Sequence, residues 1–228
     1  MKLKLLSTLL AVTTLAAACG DDDDGTGPEG EARVRIVNVA PALGEVDLLL
    51  DGNVIEEDIS YLTGTEYEDV GAGSRNVQVR PTATTTAVIE GDVDLADGES
   101  HTIVVGGTSE LRLDVLEDDI EAPDPGFAKL RLIHSAPGAG VVDVYVTEVG
   151  ADLGFETPDQ AGAEFGDVLG HTQLEEGDYQ VRVTPAGSLT PVIDETLSLG
   201  SGDIRTAFAV ETPGGGAPYD ALVLDDTN

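Results

Sequence analysis

The sequence predicts an all-β protein built from two tandem antiparallel β-sandwiches of immunoglobulin-like type. Three observations predict it. Apolar and polar residues alternate with a period of two, as in Val77-Gln78-Val79-Arg80, Leu111-Arg112-Leu113-Asp114-Val115 and Val181-Arg182-Val183-Thr184, the pattern of strands with one buried and one wet face. Turn signals recur at short intervals, among them Asp51-Gly52-Asn53, Gly71-Ala72-Gly73, Asp97-Gly98, Gly106-Gly107, Glu176-Gly177-Asp178 and Gly200-Ser201-Gly202. The body of the chain is also written twice.

Taken in order, the chain opens with Lys2 and Lys4, an apolar run from Leu5 to Ala17, and small residues leading to Cys19, the sole cysteine. The run is too short for a comfortable membrane span, which needs about 20 apolar residues. Leu15-Ala16-Ala17-Ala18-Cys19 resembles the lipobox of bacterial lipoproteins, with Ala16 where a larger aliphatic residue is usual. The resemblance implies a lipoprotein signal peptide over residues 1–18, cleavage before Cys19, and lipidation of Cys19 as the membrane anchor. With no second cysteine an intrachain disulfide is excluded, so the domains must fold on packing alone. Residues 19–31 hold Asp21-Asp22-Asp23-Asp24 among glycines. Such a segment repels itself and has little apolar surface to bury, so it reads as an acidic, Gly/Asp-rich tether. Gly20, rather than Asp, follows Cys19, which favours the outer membrane or cell surface over retention at the inner membrane.

The first repeat occupies residues 32–119 and the second 128–228. Ala32-Arg33-Val34-Arg35-Ile36-Val37-Asn38-Val39-Ala40-Pro41 aligns with Ala128-Lys129-Leu130-Arg131-Leu132-Ile133-His134-Ser135-Ala136-Pro137, and Val46-Asp47-Leu48 with Val142-Asp143-Val144, at one offset. Later matches, such as Val77-Gln78-Val79 with Val181-Arg182-Val183, need a larger offset, so the second copy carries an insertion around Gly150 to Ala163. Residues 120–127, acidic and containing Pro123 and Pro125, read as a stiff, solvated linker. About seven short strands per copy is the count expected of such sandwiches.

The run Arg-Ile-Val-Asn or Arg-Leu-Ile-His before Ala-Pro, then Val142-Asp143-Val144-Tyr145-Val146, and later Tyr179-Gln180-Val181-Arg182-Val183, resembles a bacterial envelope domain, the domain of unknown function 4397 family. The resemblance extends over nearly the whole chain after the leader. It implies a β-sandwich in an extracytoplasmic setting, often in tandem on lipoproteins, and brings no catalytic residues.

Composition narrows function further. The chain of 228 residues has 44 acidic against 11 basic side chains, a formal charge of −33, with no tryptophan. Nucleic acid is excluded as a partner, because its phosphates would be repelled and no basic stripe exists. His134-Ser135 suggests a hydrolytic pair, but the first copy has Asn38-Val39 there and no Gly-x-Ser-x-Gly elbow occurs. Asn or His before an Ala-Pro turn suits hydrogen bonding to loop backbone. No catalytic residue is therefore assigned, and a hydrolase is disfavoured. His101, His134 and His171 have no zinc-ligand spacing. Calcium as a cofactor has one candidate set, at the inter-domain joint: Glu117, Asp118, Asp119, Glu121 and Asp124. Arg35 with Asp47, and Arg131 with Asp143, recur in both copies and are expected to form cross-strand ion pairs. The expectation is a non-enzymatic, lipid-anchored envelope protein that binds or displays extracytoplasmic protein partners. The alternative is a calcium-stiffened structural spacer.

Overall fold

The computed structural model describes residues 30–227; the leader, Cys19 and most of the acidic tether lie outside the described residues. Strands β1 (Glu31–Val39), β2 (Val46–Leu50), β3 (Asn53–Ile59), β4 (Thr63–Gly64), β5 (Glu68–Gly71), β6 (Gly73–Pro81), β7 (Ile89–Leu95), β8 (Ser100–Gly106) and β9 (Arg112–Glu117) build the first sandwich. The second consists of β10 (Phe127–His134), β11 (Val142–Glu148), β12 (Gln160–Ala163), β13 (Val168–Glu175), β14 (Gly177–Pro185), β15 (Ile193–Leu199), β16 (Ile204–Val210) and β17 (Asp220–Asp225). The all-β architecture of paired sheets is as the sequence predicts. The extra residues of the second copy fall between β11 and β12, where a short 3-10 turn covers Leu153–Phe155.

Each sandwich has an inner and an outer sheet. The inner sheets run β4-β1-β8-β9, with β5 also paired to β1, and β13-β10-β16-β17. The outer sheets run β3-β2-β6-β7 and β12-β11-β14-β15. Two features depart from a wholly antiparallel immunoglobulin-like arrangement. β1 pairs parallel with β8, and β10 with β16. In the immunoglobulin order the first two strands are neighbours; here β1 and β2 belong to different sheets.

The cause is local. Pro41 cannot donate to a strand ladder, and the Asn38 side chain holds the turn that follows. Its amide donates to Gly44 O (2.8 Å) and Ile59 O (3.0 Å), and its oxygen accepts from Ala40 N. In the second copy His134 Nε2 bonds Gly140 O at 2.8 Å and Nδ1 accepts from Ala136 N. The chain is thereby turned across to the facing sheet. Asn38 and His134 thus bind loop backbone, as the repeat suggests.

Inside the first sandwich Val34, Ile36, Leu48, Val77, Val79, Leu95, Ile103 and Val105 pack between the sheets. Leu130, Leu132, Val142, Val144, Val181, Val183, Ile193 and Leu199 do so in the second. A third core joins the two: Val37, Val39, Val104, Ile133, Phe208 and Val210, edged by Leu62, Leu116, Leu222 and Leu224. The inner sheets therefore pack face to face, in four layers. This corrects the expectation of one wet face per strand, for in β1, β8, β10 and β16 both faces are covered. β8 is buried along its whole length, the mark of a strand sandwiched on both sides.

Candidate functional site

The alternation of β1 sends Val34 and Ile36 into its own sandwich and Arg35 and Val37 toward the other. Arg35 is 3% exposed, and a guanidinium so placed needs a partner anion and filled hydrogen bonds. Asp226, just after β17, supplies the anion at 2.6 Å. Arg35 Nε donates to Thr102 Oγ1 (2.8 Å) and Nη1 to the carbonyl of Asp225. The second sandwich returns the same contacts. Arg131 Nη2 lies 2.7 Å from Asp118 Oδ1, Nε donates to Thr206 Oγ1 (2.9 Å), and Nη1 reaches the carbonyl of Glu117. The Arg131–Asp118 contact is not aligned for a hydrogen bond, so its attraction is electrostatic. Thr102 donates to Asp118 and Thr206 to Asp226, which orients both carboxylates.

Around this lock, Tyr67 donates to Asp118 Oδ2 (2.8 Å) and lies under Arg35, whose guanidinium carbon is 4.8 Å from the ring centre. The matching position in the second copy is His171, 3.6 Å from Asp226. Burial, then the Asp118 charge, push the Tyr67 hydroxyl well above the usual tyrosine range. Burial also pushes the Asp226 carboxyl upward, but His171, Arg35 and Thr206 outweigh it and hold the group below the usual carboxylate range. Tyr61 and Phe165 repeat the exchange at the interface edge. The Tyr61 hydroxyl donates to Glu211 O, and the Arg112 guanidinium sits 5.9 Å from the Phe165 ring centre. Burial raises Tyr61 to about 12.

The expected pairs Arg35–Asp47 and Arg131–Asp143 do not form. Consecutive strands β1 and β2 (and β10 and β11) lie in facing sheets, so both arginines turn to the sister sandwich and both aspartates brace loops. Asp47 accepts from Asp58 N, Thr82 Oγ1 and Arg80 Nε. Burial pushes its carboxyl up, and these three donors bring it below the ordinary range. Asp143 accepts from Gly162 N and Gly187 N, both at 2.8 Å. Asp143→Ala is expected to destabilise the protein by about 1–3 kcal/mol, because two partly buried N–H groups lose their acceptor. Urea unfolding compared with the parent measures it.

Of the calcium candidates at the joint, Asp118 and Asp119 are held through their carboxylates, and Glu117, Glu121 and Asp124 make backbone contacts. Asp118 is buried against Arg131 and belongs to the lock rather than to a linker. Asp119 pairs with Lys129 at 2.6 Å, a contact that lowers its carboxyl despite burial. Glu117 offers its carbonyl to Arg131, while the backbone N–H groups of Glu121 and Asp124 donate to Asp119 and Gln173. Among the described residues no group of three or more His, Cys, Asp or Glu side chains is placed to hold a metal ion. The calcium-stiffened joint is replaced by one stiffened with arginine and lysine.

The lock is hard to read in the sequence for two reasons: Arg35 and Asp226 lie 191 positions apart, and Asp118, though close to Arg131 in the chain, is one acid within an acidic run. A signal was present: Val115-Leu116-Glu117-Asp118 recurs as Val223-Leu224-Asp225-Asp226, and Thr102 as Thr206. On the outer side of the second sandwich a different feature stands out. Phe155 is 89% exposed, although the loop that carries it is tied down. Leu153 is buried, Asp152 accepts from Gly154 N, and Arg182 Nη1 donates to Ala151 O at 2.7 Å.

A family model described as "Domain of unknown function (DUF4397)" matches residues 32–145, the first sandwich and the second as far as β11. No curated protein matches the chain. Among solved structures, a family 41 carbohydrate-binding module from streptococcal virulence factors is 10% identical, with a TM-score of 0.28, covering 85% of this chain and 96% of that one. A family 26 carbohydrate-binding module of Eubacterium rectale Amy13K, solved with maltoheptaose, is 9% identical with a TM-score of 0.28, covering 87% and 98%. A leucine-rich repeat protein from Bacteroides thetaiotaomicron is 11% identical with a TM-score of 0.19, covering 84% and 27%.

Proposed function

The chain belongs to the family described as domain of unknown function DUF4397, and on that premise we propose that it is a non-enzymatic, lipid-anchored binding module of the cell envelope. Cys19 carries the lipid, the acidic stretch after it is the spacer, and the fused sandwiches meet an extracytoplasmic protein partner. The observation that carries the binding role is Phe155. Large aromatic side chains are the common anchors of protein interfaces, and an anchor held in place before contact loses little entropy on binding. Phe155 meets both conditions: it is exposed, and the turn that leads into it is fastened. The arrangement of buried charge supports a non-catalytic reading, since Arg35, Arg131, Asp118 and Asp226 neutralise one another between the sandwiches. The lipobox-like Leu15–Cys19 segment supports the anchor.

The test joins two measurements. Mass spectrometry of the protein from its native membrane should find an amino terminus at lipidated Cys19, and protease applied to intact cells should remove it. Crosslinking in cells should then capture a defined envelope protein with the parent but not with Phe155→Asp, while both unfold at the same temperature. A retained leader would defeat the anchor. Equal capture by Phe155→Asp would defeat the proposed contact.

A further inference from the structure

The two copies differ at one edge, beside which the second sandwich has a cavity. In the first, β3 runs the full length of its neighbour, and Ile55 packs against the core. The register fixes its counterpart. Leu48 faces Glu56 across β2 and β3, and Val144 faces Gln160 across β11 and β12, so Ile55 corresponds to Asp159. In the second copy the insertion cuts this edge strand short, and β12 begins only at Gln160. A half-buried residue that packs against the core in one sandwich is thus an exposed carboxylate in the other. Beside it lies a cleft of about 180 Å³ formed by β10, β11 and β13, lined by Leu130, Leu132, Val146, Leu169 and Leu174, with Thr172 and Asp159. The Asp159 carboxylate is fixed, since its Oδ2 accepts from Val146 N at 2.7 Å.

We propose that this cleft is a binding site for a small ammonium compound with an apolar body. Five aliphatic side chains form walls that favour a hydrocarbon group, and a cavity of roughly 150 Å³ is enough for one benzene ring. Asp159 sets the head group. It is the one charged residue lining the cleft, and no lysine or arginine stands there to neutralise an anion. The site is separate from Phe155 and independent of any protein partner.

The test is a titration of the full chain, followed by amide chemical shifts, with n-hexylamine, n-hexanol and n-hexanoate as probes. Hexylamine is expected to shift Leu130, Thr172 and Leu174 saturably in the millimolar range. Hexanol should bind about threefold more weakly, the scale of discrimination that one exposed carboxylate provides, and hexanoate more weakly still. Asp159→Ile, which installs the first sandwich's residue, should fill the cleft and abolish the shifts. Asp159→Asn keeps an acceptor for Val146 N, so it should still bind but treat amine and alcohol alike. Absence of saturable shifts, unchanged binding by Asp159→Ile, or hexanoate binding as well as hexylamine would each overturn the proposal.

Discussion

Replacement of Asp226 by alanine is expected to lower stability by about 3–5 kcal/mol, because it strands a guanidinium in a dry interface. Asp226 is 1% exposed and accepts from both Arg35 and Thr206, with Arg131 a further 3.9 Å away. Removing the pair together should cost much less. In Arg35→Met with Asp226→Leu the desolvation of both charges disappears along with their attraction. Acid should reproduce part of the single-variant effect. Folding holds the Asp226 carboxyl below its unfolded value, which is about 3.9. Its contribution is therefore complete above that pH and fades as the pH falls through the lower, folded value. Thermal unfolding of parent and Asp226→Ala should differ most near neutrality and converge below about pH 4. A constant gap across that window would rule out the ionised lock as the source.

Phe208→Ala is the second substitution with a large expected effect, again about 3–5 kcal/mol. Phe208 is wholly buried, but within the third core rather than within either sandwich. The cavity left would fall between the inner sheets, where Val37, Val39, Val104, Ile133 and Val210 meet. Coupling between the sandwiches should suffer more than either does alone. Calorimetry should show the parent unfolding as one transition and the variant broadening toward two. A single sharp transition at an unchanged temperature would place the energetic weight elsewhere.

The sandwiches were legible in the sequence because alternation and Asp-Gly turns are local signals, and a duplication checks each reading against the other. The third core was not. In Val34-Arg35-Ile36-Val37-Asn38-Val39 the arginine marks what an alternating pattern takes for the wet face. Here that face is dry, and Arg35 is tolerated only because Asp226 arrives from the far end of the fold. Asp118 is hidden by its acidic neighbours instead: it stands close to Arg131 in the chain yet reads as one more acid in a solvated joint. Asp47 and Asp143 recur in the two copies, but adjacency in sequence misleads about their partners, because consecutive strands here lie in facing sheets. Asp159 became legible only once strand pairing fixed the register across the insertion.

The exchange of Arg35–Asp226 for Arg131–Asp118 has the form of an isologous contact, in which each partner presents one patch to the same patch on the other. Two copies of a lone module could meet in this way only as a dimer that dissociates on dilution. A short connection of residues 118–126 instead sets a high effective concentration for the encounter. The assembled pair should consequently persist at any protein concentration, down to a single molecule.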